Sequence, residues 1–62
     1  MTDQQVIQSA YEDAVKRLYV NLVLGYTDAA GGTGTEPQAD QNFKTGLAVA
    51  RKSRDSALTL LG

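Results

Sequence analysis

One stretch of loop-forming residues divides this chain into two arms, and it limits the fold more than any other sequence feature. The stretch runs from Gly31 to Pro37 and holds three glycines and the chain's one proline. These two residue types interrupt helices and strands more strongly than any others. The arms on either side have similar lengths and contain no comparable interruption. The sequence therefore predicts two regular elements joined by one connection.

The first arm has the apolar spacing of a helix. Its apolar residues recur at intervals of three and four, which places them on one helical face; they are Ile7, Tyr11, Ala14, Val15, Leu18, Leu22, Tyr26 and Ala29. Thr2 and Gln5 have the spacing of a capping box, and Gly31 is typical of a helix C-terminus. Two acid-to-base pairs at i,i+4 add support for a helix: Glu12 with Lys16, and Asp13 with Arg17.

A strand is the alternative for the most apolar part of this arm, Leu18 to Leu24. Aromatic and β-branched residues in that run favour a strand, and a short apolar run cannot be assigned from its periodicity alone. A lone strand, however, has no second strand to pair with in this chain. We therefore expect this run to continue the helix.

The second arm repeats the same pattern of cap and apolar face. Thr35 and Gln38 have capping-box spacing, and Glu36 and Pro37 fit the first turn of a helix. The apolar face consists of Ala39, Phe43, Leu47, Ala50, Ala57, Leu58 and Leu61. Beside it runs a ridge of small residues that would let another helix approach closely: Gly46, Ala50, Ser53 and Ala57. The expected fold is an all-α antiparallel hairpin over residues 1–62, with helices at about 3–30 and 36–61 and a loop at 31–35.

A hairpin of this size needs a partner to bury its apolar surface. A chain of 62 residues buries only about 60% of its unfolded surface. Without cysteine or histidine, it has neither disulfides nor the usual zinc ligands as support. Several large apolar residues also point away from the seam between the arms, and we expect them to form an interface: Tyr19, Val20, Val23, Leu24 and Leu60. The sequence thus predicts a homodimer, or a higher even assembly, in the form of a four-helix bundle.

The composition argues against catalysis and points to a binding role. Histidine and cysteine are absent, so the commonest general base and the strongest nucleophile are missing. We expect no catalytic residues, no cofactor and no metal site. The predicted function is a non-enzymatic, self-associating protein–protein interaction or assembly module that also contacts an unidentified protein. With no signal segment and no long apolar run, we expect a cytoplasmic protein without membrane contact.

Basic residues of the second arm leave one alternative function open. Lys44, Arg51, Lys52 and Arg54 give this arm a locally basic character, and a small RNA-binding regulator could use them. The net charge of −1 supplies no general attraction to nucleic acid. Arg54 is the most unusual of the four, because it shares a helical face with Phe43 and Leu47. Either it forms a structural contact with Tyr11 or Glu12, or it contacts a partner.

Overall fold

Two α-helices make up the regular structure of the chain. The computed structural model describes residues 1–62 and contains α1 (Asp3–Ala30) and α2 (Glu36–Leu60), with no strand. The prediction of an all-helical hairpin is confirmed, with helix ends within one residue of those expected. Residues 18–24 are helical, so the strand alternative is wrong. Leu18 and Leu22 continue a half-buried face that begins at Ile7, and this packing outweighs local strand preference.

The N-terminal end of each helix is closed by a threonine. In α1 the capping box is complete: the Gln5 N–H donates to Thr2 Oγ1 at 3.2 Å, and the Thr2 N–H donates to Gln5 Oε1 at 2.9 Å. In α2 only one of the two hydrogen bonds of the predicted capping box forms. The Gln38 N–H donates to Thr35 Oγ1 at 3.3 Å. The Gln38 side chain instead donates to Asn42 Oδ1 at 2.9 Å, one turn further along the helix.

The glycine pair after α1 ends that helix with a tight turn. Gly31 is the C-cap, as the sequence predicts, but the left-handed residue is Gly32, with φ at 84°. The Thr33 N–H donates to the carbonyl of Asp28 at 2.9 Å, and the Gly32 N–H donates to that of Ala29 at 3.1 Å. This pair of bonds is the Schellman arrangement, which satisfies carbonyls that the helix leaves free. The chain reverses here, and α2 begins a few residues later.

The two helices run antiparallel in a constant register. Four cross-helix neighbours show it: Tyr26 with Asp40, Gly25 with Ala39, Leu18 with Gly46, and Tyr11 with Arg54. In every pair the residue numbers add to between 64 and 66. The helices therefore keep one register from Tyr11 to Tyr26 of α1.

The seam between the helices holds little fully buried surface. Ala39 is the one buried residue, at 7% exposure. Most residues of the predicted apolar faces are half-buried along the seam, and the exceptions are Tyr26 and Leu61, which are exposed. Tyr26 lies at the edge of the face, and Leu61 lies beyond the last helical residue. The seam alone is thus a thin core.

The hairpin is long and flat. Its Cα atoms extend over 47 × 18 × 9 Å, so the molecule is one layer of helices with both broad sides open to solvent. Neither helix combines the length and the apolarity that a membrane crossing requires. Any function that needs a buried environment depends on what covers these two broad sides.

Candidate interaction surface

One broad side of the hairpin carries an open apolar groove, and we call it the groove side. The groove lies between the helices and is lined by thirteen residues, of which eight are hydrophobic. From α1 these are Ile7, Ala10, Tyr11, Ala14, Arg17, Leu18 and Asn21, and from α2 they are Gly46, Val49, Ala50, Ser53, Arg54 and Ala57. The ridge of small residues predicted from the sequence therefore forms the α2 wall of this groove.

Close packing across the seam depends on Gly46 at one end of that wall. A Cβ atom at Gly46 would collide with Cδ2 of Leu18, so the leucine fills the space that the missing side chain leaves. The close helix approach predicted for the ridge of small residues is confirmed at this pair. The remaining small residues of the ridge leave the groove shallow and open.

Arg54 is held by two neighbours at the edge of the groove. Its guanidinium carbon lies 4.4 Å from the centroid of the Tyr11 ring, and its Nε donates to Asp55 Oδ1 at 3.0 Å. The Arg54 side chain is 27% exposed. The expected contact with Tyr11 is confirmed, while the carboxylate partner is Asp55 of the same helix rather than Glu12. Stacking on the ring lets the long arginine stem pack while its charge stays near water.

The opposite broad side of α2 is charged, and we call it the charged side. At about 100° of rotation per residue, five charged residues of α2 lie on this side or at its edge: Asp40, Lys44, Arg51, Lys52 and Asp55. Lys44, Arg51 and Lys52 are all exposed. Arg54 is separated from them because it lies in the seam. The four basic residues of the RNA-binding alternative therefore do not form one patch.

A tyrosine and an aspartate connect the helices near the turn on the charged side. The Tyr26 hydroxyl donates to Asp40 Oδ1 at 2.5 Å. This bond to the carboxylate raises the pKa of Tyr26 above its ordinary value, with partial burial and the negative charges of Asp40 and Glu36 adding to the effect. Tyr26 is thereby held in its protonated, hydrogen-bonding form.

The predicted acid-to-base pairs of α1 are replaced by a different one. Asp13 Oδ1 lies 4.0 Å from Lys16 Nζ, and neither Glu12 with Lys16 nor Asp13 with Arg17 forms an ion pair. These side chains are exposed to water, where a pair gains little and several geometries compete. Arg17 therefore lines the groove without a carboxylate partner from its own chain.

All five residues predicted for an interface are exposed, but they do not share one side. They are Tyr19, Val20, Val23, Leu24 and Leu60. On a helical projection Leu24 and Leu60 lie on the groove side, and Val20 lies at its outer edge. Tyr19 and Val23 lie on the charged side. A single flat interface can take only one of these two sets.

Two exposed valines on the groove side were missed by the sequence reasoning. Val49 is 59% exposed and stands beside the small residues of the groove, and Val6 is 51% exposed at the far end of the same side. Val49 follows Gly46 by three residues and precedes Ser53 by four, so helical spacing could have placed it with the ridge. It was overlooked because it lies outside the seam-facing stripe.

The arrangement contains no metal cluster and resembles no known protein that the comparisons detect. No three side chains among His, Cys, Asp and Glu lie close enough together to hold a metal ion. Comparisons with protein-family models, curated proteins and solved structures found no match.

Proposed function

We propose that this protein is a non-enzymatic, self-associating interaction or assembly module, whose active form is a dimer or a higher even assembly of hairpins. Two hairpins that pack broad side against broad side make a four-helix bundle. The assembly, rather than the single chain, offers the surface on which a further protein binds. No catalytic residue, cofactor or metal ion takes part in this role.

The observation that supports the proposal is the size of the accessible surface. The chain exposes 4712 Å², whereas a folded monomer of its 6.6 kDa mass exposes about 3,900 Å². The hairpin thus leaves roughly 800 Å² more surface in water than a stable monomer of this mass leaves. A standard protein–protein interface covers about 800 Å² on each partner. One interface of ordinary size therefore removes the whole excess.

RNA binding through α2 is the less favoured function. Each phosphate contact requires an available cation. Arg54 contacts Tyr11 and Asp55. The three cations of the charged side lie between Asp40 and Asp55 along the helix, and these carboxylates offset part of their charge. A gel shift with mixed RNA at several salt concentrations tests this function. Binding that weakens steeply as salt rises would favour RNA over self-association as the primary role.

Sedimentation equilibrium at micromolar concentration tests the proposed self-association. We expect the mass of two chains, or of a higher even number, together with a helical circular dichroism spectrum. A folded species with the mass of one chain would overturn the proposal. The spectrum is needed in the same sample, because an unfolded monomer also has the mass of one chain.

A further inference from the structure

The groove side differs from the charged side in the features that separate protein interfaces from ordinary surface. Interface centres are depleted of charged residues and enriched in packed apolar ones. The groove contains two charged residues, Arg17 and Arg54, and Arg54 is already engaged by its neighbours. The charged side of α2, in contrast, carries most of that helix's ionisable groups. The excess surface is therefore most easily covered on the groove side.

The groove side of α1 carries a stripe of residues that is complementary to an antiparallel copy of itself. Starting from the groove residues Ala10 and Arg17, helical spacing extends this stripe to Val6, Asp13 and Leu24. The order along the stripe is apolar, small, acidic, basic and apolar, and its centre lies at residue 15. In an antiparallel pair of α1 helices centred there, Val6 of one copy faces Leu24 of the other. Asp13 likewise faces Arg17, twice for each dimer.

The groove side of α2 has a matching centre. Because cross-helix neighbours have residue numbers that add to between 64 and 66, residue 15 of α1 is level with residues 49–51 of α2. An antiparallel pair of α2 helices centred between Val49 and Ala50 sets Val49 of one copy against Ala50 of the other. It also sets Gly46 against Ser53, so the small residues allow the two backbones to approach closely.

We propose that the groove side is the surface that binds a second copy of this chain, through a two-fold axis that crosses the helices near Val49. This inference rests on the proposed self-association and names the surface that carries it. One axis serves both helices, since a centre between Val49 and Ala50 lies within residues 49–51, the level of residue 15 of α1. Each Arg17 then finds in the Asp13 of the other copy the carboxylate that its own chain does not provide. Such an isologous contact closes as a dimer.

Substitution of a valine on each broad side compares the two surfaces directly. Val49→Asp places a charge at the centre of the proposed interface, and Val23→Asp places the same charge on the charged side, at a residue that is 44% exposed. We expect Val49→Asp to shift the sedimentation mass from two chains to one and Val23→Asp to leave the dimer intact. The reverse result would show that Val23 lies in the interface, which would keep the self-association but overturn the choice of surface.

A charge exchange tests the register and does not depend on how well Val49→Asp folds. Asp13→Arg gives a stripe with two arginines, and Arg17→Asp gives one with two aspartates. Each variant alone is expected to dimerise about tenfold more weakly, as two attractive pairs become repulsive. An equimolar mixture of the two is expected to form heterodimers preferentially, and the double variant is expected to recover the affinity of the original chain.

The matched control exchanges a neighbouring pair on the other side of α1. Glu12→Lys and Lys16→Glu alter the same kinds of charge, at the same i,i+4 spacing, away from the groove. Lys16→Glu also removes the 4.0 Å contact of Lys16 with Asp13, an exposed pair that contributes little. Neither variant is expected to change the dimer mass or to prefer the other in a mixture. An equal effect of the control pair, or no heterodimer preference for the Asp13 and Arg17 variants, would overturn the proposed register. A wild-type chain that sediments as a folded monomer would instead overturn the self-association itself.

Discussion

At the scale of single residues, the contact of Arg54 with Tyr11 accounts for a charged residue on an otherwise apolar face. The guanidinium covers the tyrosine ring, and the aliphatic stem packs beside the groove. Asp55 neutralises the charge from the solvent side. The free-energy cost of partly burying Arg54 is small because its guanidinium group stays near water.

Arg54→Ala is therefore expected to lower the free energy of unfolding by about 1 kcal/mol, through loss of the ring contact and of the stem packing. Arg54→Met keeps much of the apolar stem, so its free energy of unfolding is expected to be close to that of the original chain. Urea unfolding measures both. The control is Arg51→Ala, at an exposed residue of the same helix, for which a change within about 0.5 kcal/mol is expected. Equal effects at both arginines would contradict the structural role of Arg54.

Gly25 is a second residue whose identity is set by a neighbour. A Cβ atom at Gly25 would lie 2.7 Å from Cβ of Ala39, and this methyl group cannot rotate away because it is attached directly to the backbone. The absence of a side chain here allows Ala39 to become the one buried residue of the seam.

Gly25→Ala is expected to reduce stability by about 1–2 kcal/mol, although alanine favours a helix by about 1 kcal/mol over glycine. The helices have to separate locally to admit the new methyl group. Ser9→Ala, at an exposed residue of the same helix, provides the control and is expected to be neutral or slightly stabilising. Thermal unfolding of the two variants gives the comparison. A gain in stability with Gly25→Ala would show that the helices do not approach closely at this point.

At the scale of the helices, the bond between Tyr26 and Asp40 joins the end of α1 to the start of α2. It lies close to the turn, where the capped end of α2 and the glycine pair already set the path of the chain. The bond requires the tyrosine proton, so its contribution depends on pH.

The pKa of Tyr26 is raised in the folded chain, which means that folding favours the protonated hydroxyl. The stabilisation is fully present below the ordinary tyrosine pKa of about 10 and is lost as the pH rises through the higher folded value. Tyr26→Phe is accordingly expected to have a lower thermal midpoint than the original chain at neutral pH. The difference between the two is expected to shrink at alkaline pH. A difference that stays constant up to strongly alkaline pH would contradict this contribution.

At the scale of the whole molecule, the seam between the two helices buries too little surface to account for a stable fold. One layer of two helices exposes both broad sides, and only Ala39 is buried. Covering the groove side with a second copy adds a second layer, which is the usual minimum for a stable helical domain. Stability and association are then one equilibrium.

The thermal midpoint of the original chain is consequently expected to rise with protein concentration. Circular dichroism at concentrations that span about a hundredfold range measures the effect. The Val49→Asp variant is expected to show a lower midpoint with little dependence on concentration. A midpoint that is independent of concentration in the original chain would indicate that the hairpin is stable by itself.

The sequence alone determined the local features of this protein, because they depend on neighbours within a few residues. Apolar spacing of three and four predicts both helices. Thr2 and Thr35 predict where they begin, and the glycines after Ala30 predict the reversal. The contact of Arg54 with Tyr11 was also predictable, since an antiparallel hairpin with its turn near residue 33 brings these two positions level.

Only the tertiary structure decided which residues of the two helices lie together on the groove side and which lie on the charged side. The rotation of each helix about its own axis is set by packing between distant residues, such as Gly25 against Ala39 and Leu18 against Gly46. That rotation turns Leu24 toward the groove side and Val23, its neighbour in sequence, toward the charged side. The ion-pair partner of an exposed side chain such as Asp13 could not be predicted from spacing either, because several pairings of similar energy compete in water. For these reasons the sequence named five of the exposed apolar residues, but the side on which each one lies was decided by the tertiary structure.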